Sequence, residues 1–310
     1  MSAGLLNAAI AASPLSGRPG LRWRAGLPTI ASPMRQAVDA DNYVVETDGE
    51  IPVFLKIFQP DGWPTFDLGA IAKATATAAA HGIGPALRFV LPAQGALAIE
   101  YLEHPWRPAM LSDLAEPRVL AAAVAARRRF HEAAPLPRRR DVFAMIEDLR
   151  RHAAARAVDL PGDVDALIVW SRQAAAAIGA AGVDLKPCHN DGSASAQMLA
   201  GRRLMLVDFD EAGQSDPFCD LALLLNEASA FGDVWAPGVE LYAGAATATL
   251  VNRCRVYAAA DDIFRGLWGW LMSATSPRRS VEFLKYGEWR LLRARMALRE
   301  PGFAARLKNL

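Results

Sequence analysis

Cysteine is scarce in this chain of 310 residues: Cys188, Cys219 and Cys254 are too few and too scattered for a disulfide framework or a zinc cluster. That scarcity points to a reducing, cytoplasmic setting, and Cys188 and Cys219 read as small buried packing groups. Long apolar runs are missing too, and no stretch reaches the ~18 uninterrupted apolar residues of a membrane helix. Leu5 to Ala12 is apolar and Ala-rich, but no basic residue precedes it, which argues against a secretory signal. Neither charge sign dominates. A net charge of +1 leaves no broad footprint for nucleic acid or an anionic membrane. The local runs Arg127-Arg128-Arg129 and Arg138-Arg139-Arg140 read as solvated helix ends and loops. No internal period is evident. What remains is a globular chain, 52% apolar, long enough for two lobes.

The first hundred residues are β-rich. Asn42 to Thr47, the turn signal Asp48-Gly49, and Ile51 to Phe58 predict a hairpin with Lys56 in its second strand. Phe66 to His81 predicts an Ala-rich helix stopped by Gly82 and Pro85. Leu87–Leu91 and Ala96–Leu102 predict a second strand pair. After Pro105 the pattern turns helical, over Leu111–Glu132, Asp141–Val158, Val164–Ala181, Cys219–Phe231, Val239–Ala260, Ile263–Ser273 and Ser280–Leu298. Strand-like pieces among these helices occur only at Leu199 and at Leu204 to Asp208. The expected class is α+β: a small antiparallel-sheet lobe with its connector over residues 1–103, and a larger, mainly helical lobe over 104–310.

Chemistry concentrates between Cys188 and Glu227, where His189, Asp191, Asp208, Asp210 and Asp220 surround one hairpin-like segment. A carboxylate on a tight loop, Asp191, can orient and deprotonate an attacking hydroxyl. A second at the end of an apolar strand, Asp208, can hold magnesium against phosphates. Each has a bland rival, because aspartate commonly caps turns and lone strand lysines are commonly solvated. The remaining histidines, His81, His104, His131 and His152, show no metal-site spacing and read as surface or packing groups.

The chain resembles the aminoglycoside phosphotransferase and choline kinase superfamily, in particular its bacterial choline kinase-type branch, whose fold is similar to that of protein kinases. The specific residues are Cys188-His189-Asn190-Asp191, Leu206-Val207-Asp208-Phe209-Asp210, Asp216-Pro217 and Asp220-Leu221-Ala222. Asn42-Tyr43, Lys56, Gly82-Ile83-Gly84-Pro85, Glu100-Tyr101-Leu102-Glu103, Gly266-Leu267-Trp268-Gly269 and Tyr286 extend it along nearly the whole chain. The resemblance implies ATP and Mg²⁺ as cofactors, with ATP in the cleft between lobes. Lys56 would meet the α- and β-phosphates, and the backbone of Glu100, Tyr101 and Leu102 the adenine edge. Asp191 would be the base, with His189 holding its loop. Asp208 would be the metal ligand, assisted by Asp210, and Asp220 would brace the loop.

Three departures accompany the match. Ala196 stands where related sequences have a metal-binding asparagine; the neighbouring Gln197 is the one substitute ligand on offer. The segment from Pro33 to Asp41 contains no glycine, which leaves Arg35 as the compensating phosphate contact. The helix after the hairpin carries no glutamate for Lys56, which is therefore expected to be unpaired. The expected activity is an ATP- and Mg-dependent phosphotransferase acting on the hydroxyl of a small molecule, an amino alcohol such as choline or ethanolamine. Glu227 and Trp268 are the expected charge and cation–π contacts to its ammonium group. The alternative is a catalytically impaired pseudokinase serving as a nucleotide-binding or protein-binding scaffold.

Overall fold

The computed structural model describes residues 3–27, 39–62, 66–230 and 232–310. It opens with helix α1 (Ala3–Ala12) and strand β1 (Arg22–Ala25), neither of which the sequence pattern predicts. The expected hairpin follows as β2 (Ala40–Glu46) and β3 (Val53–Phe58). Gly49 closes its turn at φ +76°, a left-handed value that a side chain would resist. Helix α2 (Leu68–Ala80) starts at Asp67, whose carboxylate accepts the Ala70 N–H, a good N-cap. Strands β4 (Leu87–Leu91) and β5 (Ala96–Glu100) complete an antiparallel sheet of order β1-β2-β3-β5-β4.

Strand alternation decides where Lys56 goes. Val53, Leu55 and Ile57 share one face with Leu6 and Ala9 of α1. Phe54 and Phe58 share the other with Ile71 of α2. Lys56 is in phase with Phe54 and Phe58, so its side chain leaves on the α2 side, toward the rest of the protein.

The chain then turns helical. Strand β6 (Arg107–Pro108) and helices α3 (Leu111–Ala115), α4 (Pro117–His131), α5 (Val142–Ala155) and α6 (Val164–Ala181) come first. The expected helix from 111 to 132 is interrupted at Glu116, because Pro117 lacks an N–H and begins a helix of its own. Four short strands carry the charged segment: β7 (Lys186–Cys188), β8 (Gln197–Ala200), β9 (Arg203–Leu206) and β10 (Gly213–Ser215). They pair as β10-β7 and β6-β8-β9.

Helices α7 (Pro217–Ala228), α8 (Trp235–Ala243), α9 (Ala248–Thr275) and α10 (Phe283–Leu298) close the fold around the largest apolar core. α9 is one helix of 28 residues, not the expected two. Asp261 and Asp262, which look like a break, are buried against arginines and leave the helix intact. α10 lies close along α9: a Cβ on Gly269 would sit 2.6 Å from the Gly287 backbone, so only glycine permits the approach. No helix among the described residues is long and apolar enough to cross a membrane.

Candidate active site

β7 delivers His189 and Asn190 to a buried turn. Asn190 adopts φ +60°, a left-handed conformation that asparagine tolerates better than most residues. The next residues, Asp191 and Gly192, face a cavity. A Cβ on Gly192 would stand 2.1 Å from the Leu223 carbonyl oxygen, so glycine alone lets the loop pack onto α7. Asp191 accepts the Ser193 N–H at 2.8 Å.

Asp220 in the first turn of α7 anchors this loop. Its carboxylate accepts the backbone N–H groups of His189 (3.0 Å) and Asn190 (2.9 Å) and lies 2.9 Å from His131 Nε2. Arg127 Nε is 3.4 Å away, an ionic contact not aligned as a hydrogen bond. Arg127 Nη2 donates at 2.7 Å to the Asp191 carbonyl. Burial pushes the Asp220 carboxyl up, but His131 and Arg127 outweigh it and hold the group well below the usual carboxylate range. His131, Cys188 and Asp220 bring ligand-type atoms within 4.8 Å of one another. With Asp220 already facing four donors, that cluster is a brace and not an ion site. The His189 ring lies between the carbonyls of Asp191 (3.0 Å) and Val207 (2.9 Å), and so joins this loop to the next.

That next loop follows β9. Asp208 adopts φ +67°, an uncommon conformation for a residue with a side chain, and a 3₁₀ turn over Phe209–Glu211 follows it. The turn aims Asp208 and Asp210 at Lys56, whose Nζ donates to Asp208 and, at 2.7 Å, to Asp210. Lys56 is therefore paired, contrary to the expectation from α2: its carboxylate partners come from the 208–210 turn and not from the neighbouring helix. Burial raises the Asp208 carboxyl, but the ammonium overrides it and draws the group down to about 2. Burial and the Asp208 charge push Asp210 up instead. Ionised carboxylate oxygen at this turn fits a hard divalent cation.

Asp39, at the head of β2, lines the same cavity. Burial, Asp208 and Glu211 raise it to about 7 against the pull of Lys56 and Arg265. The far wall comes from α7, α9 and α10. Arg290 Nη1 donates to Glu227 (2.9 Å) and Nη2 to Asp261 (2.8 Å), with Nε 2.7 Å from Asp262 but misaligned for a hydrogen bond. Arg140 binds Glu211 (2.9 Å) and Asp261 (3.2 Å). Arg265 reaches Glu211 at 3.2 Å. Despite burial, Arg265, Arg140 and Arg138 bring Glu211 down to about 2.

Residues 31–257 match the model of the phosphotransferase enzyme family. The chain belongs to that family. The structure is similar to a choline/ethanolamine kinase family protein from Mesorhizobium loti, with 25% identity, a TM-score of 0.81, and 100% of this chain and 99% of that one covered. It also resembles the choline kinase LicA from Streptococcus pneumoniae, with 16% identity, a TM-score of 0.73, and 95% and 98% covered. A third likeness is a spectinomycin phosphotransferase in complex with ADP and spectinomycin, with 12% identity, a TM-score of 0.59, and 96% and 99% covered. The search of curated proteins returned no match. The architecture is the kinase-like one expected: a small antiparallel sheet and a larger helical part.

In this phosphotransferase the cavity gathers Lys56, Asp191, Asp208, Asp210 and Glu227. A second, more apolar cleft adjoins it, lined by Phe54, Ile99, Glu100, Tyr101, Leu102 and Met198, and sharing Lys56 and Asp208. Two expected site residues lie elsewhere. Gln197 is wholly buried and lines neither cavity. Its Nε2 donates to the Ser193 carbonyl at 3.4 Å, and strand alternation in β8 sets it on the face opposite Met198, which lines the apolar cleft. Trp268 is buried in the helical core with its ring edge-on to Phe283 and Tyr286, and Tyr286 faces the cavity in its place. Arg35 falls outside the described residues.

Arg127 and Arg140, one from each basic run, are phosphotransferase residues that sequence reasoning missed, whereas Arg128, Arg129 and Arg139 are exposed as expected. Arg127 and Arg140 are not solvated; both are fully buried side chains. Arg138 Nη1 donates to the Asp210 carbonyl at 2.7 Å. Together they tie α4 and the 138–140 segment to the two catalytic-looking loops. The available signal was helical phase: Arg127 falls in line with Leu120, Ala123, Val124 and Phe130 on the apolar face of α4.

Proposed function

We propose that the chain transfers the γ-phosphoryl group of ATP to the hydroxyl of a small amino alcohol, in the cytoplasm, with magnesium held mainly by Asp208. The observation that carries this reading is a single cavity holding Lys56, Asp191 and Asp208, continuous with the apolar cleft along residues 99–102. Residues 1–103 would act as the nucleotide-binding lobe and its connector, and 104–310 as the lobe that carries the loops and receives the acceptor. The three buried free cysteines suit a reducing compartment.

Adenine would enter the apolar cleft. The N–H groups of Glu100 and Tyr101 are taken by the Ala86 and Pro52 carbonyls. The Leu102 N–H is the donor left for the adenine edge. Lys56 would exchange Asp208 and Asp210 for phosphate oxygens, which frees Asp208 for the ion. Bound magnesium would neutralise charge on the phosphates. Asp191, held by Ser193, Arg127 and the Asp220 brace, accepts the acceptor's hydroxyl proton as its oxygen bonds to the γ-phosphorus. The bond from phosphorus to the β,γ-bridging oxygen breaks, and ADP departs with that electron pair.

An ammonium acceptor suits the cavity electrostatically, because seven acidic and three basic side chains line it among the described residues. Tyr286 is its aromatic lining residue among those described, which is thin for the cage a quaternary ammonium prefers. Ethanolamine, with N–H donors for carboxylates, is the better fit. Placing Asp191 and Asp208 in one cavity serves a catalyst and is not needed for a scaffold. The test is ATP consumption in the presence of magnesium with ethanolamine, choline and amino sugars in parallel, beside thermal denaturation with Mg-ATP. Nucleotide at ~100 times its Kd adds about 2.7 kcal/mol of stability. No thermal shift with Mg-ATP and no acceptor-dependent ADP release would refute the proposal.

A further inference from the structure

Two deficits mark the phosphate end of the cavity. Ala196 offers no ligand atom where the family resemblance implies a second metal-binding side chain, and Gln197 is buried away from the site. Phosphoryl transfer runs mainly on positioning and on neutralising charge that spreads over the equatorial oxygens, so a missing ligand weakens the step itself. A compensating cation should line the cavity, stay close to the 208–210 turn, and keep donors unspent.

Three cationic side chains among the described residues line the cavity: Lys56, Arg265 and Arg290. Lys56 contacts both Asp208 and Asp210. Each of the three nitrogens of Arg290 lies within 2.9 Å of a carboxylate oxygen. Arg265 differs. It projects from α9 to Glu211, the last residue of the turn that begins with Asp208. Its contacts are Nη1 to Glu211 at 3.2 Å and Nε to Asp261 at 3.6 Å, and no hydrogen-bond partner for Nη2 occurs among the described residues. A guanidinium carries five N–H donors in a planar fork, so donors are left over. Its side chain is a fifth exposed, open to the cavity it lines. Glu211 is held from behind by Arg140 at 2.9 Å, which fixes the point from which Arg265 is aimed.

On these grounds, and resting on the phosphotransferase reading above, we infer that Arg265 is a catalytic residue that donates hydrogen bonds to the equatorial oxygens of the phosphoryl group in flight. It takes no proton; the hydroxyl proton still goes to Asp191 and the leaving electron pair to ADP. Its charge supplies, from within the chain, part of what the missing ligand at Ala196 does not. Glu211 and Asp261 orient the guanidinium, and Asp191 lines the cavity with it.

Arg265→Gln and Arg265→Lys in the full chain test this with two readouts. The first is turnover with saturating Mg-ATP and the best acceptor of the screen. The second is binding of Mg-ADP alone and of Mg-ADP with fluoroaluminate, a mimic of the phosphoryl in flight. For Arg265→Gln, kcat is expected to fall ~100-fold or more, with fluoroaluminate affinity falling in parallel and Mg-ADP affinity unchanged. Arg265→Lys keeps the charge facing Glu211 and Asp261 but loses the fork, so it should fold and lose about tenfold in both readouts. Kcat and fluoroaluminate affinity within threefold of wild type would overturn the inference, in Arg265→Lys alone if Arg265→Gln does not fold. An equal loss of Mg-ADP affinity would overturn it too, by marking Arg265 as structural. Wild-type protein that transfers no phosphoryl group removes the functional reading and this one together, whereas an active wild type with unaffected variants removes this one only.

Discussion

Replacing Asp220 by asparagine tests the brace beneath the proposed base. The carboxylate is fully buried and faces two backbone N–H groups at 3.0 and 2.9 Å, His131 at 2.9 Å and Arg127 at 3.4 Å. An amide fills the same volume but offers one acceptor oxygen and turns an NH₂ toward the remaining donors. Losing a hydrogen bond to a charged acceptor costs about 1.5–3 kcal/mol. Leaving a buried arginine without its counter-charge costs about 3–5 kcal/mol. Because the two overlap, we expect about 4 kcal/mol in all, which lowers Tm by roughly 6 °C and is a large part of a typical stability of ~5–15 kcal/mol. Asp191 and Asn190 share the loop, so turnover should fall by ~100-fold through misplacement alone. Urea denaturation of both proteins gives the stability difference. Arg127→Met combined with Asp220→Asn should recover part of the loss, since it removes the stranded charge. The sign in pH follows from the direction of the shift. The native carboxyl lies below its ordinary value of 3.8, so its contribution is complete above that pH and fades as pH falls toward the native value. Wild type should lose this stability below about pH 4, and Asp220→Asn should lack that component. A variant within 1 kcal/mol of wild type, with the same acid limb, would refute the reasoning.

Asp191→Asn should cut kcat by roughly 10²–10⁴ while Mg-ATP still raises Tm as in wild type; unchanged turnover would remove Asp191 as the base. Trp268→Ala should destabilise the helical core by about 3–5 kcal/mol, because the ring is buried against Phe283 and Tyr286. Its acceptor KM should stay within threefold of wild type, and a much larger rise at preserved stability would restore Trp268 to the acceptor site.

Legibility in the sequence followed the range of the interactions concerned. Hairpin β2–β3 was readable because alternation and the Asp48-Gly49 turn are local, and alternation also put Lys56 on the face opposite Leu55. The order His189, Asp191, Asp208 was readable because both loops are short and carry unusual polar residues beside apolar strands. Lys56 was misjudged because its partners, Asp208 and Asp210, are more than 150 residues away. Asp261-Asp262 looked like a helix break because two of the arginines that neutralise them, Arg140 and Arg290, belong to other parts of the chain. Gln197 looked like a substitute ligand on adjacency alone, whereas it opens β8 on the face opposite Met198, which lines the apolar cleft.

By itself the sequence determined the α+β class, the hairpin, the Ala-rich helix α2 and the identity of the carboxylates between Cys188 and Glu227, all of which depend on short-range periodicity and turn chemistry. Only the tertiary structure decided which charges are paired and which polar groups line a cavity. It withdrew Trp268 and Gln197 from the site, turned Arg127 and Arg140, one from each basic run, into buried supports, and set Arg265 beside the 208–210 turn. The reason is physical: burying a charge is costly unless another element supplies its partner, and such partners meet only when the chain has folded.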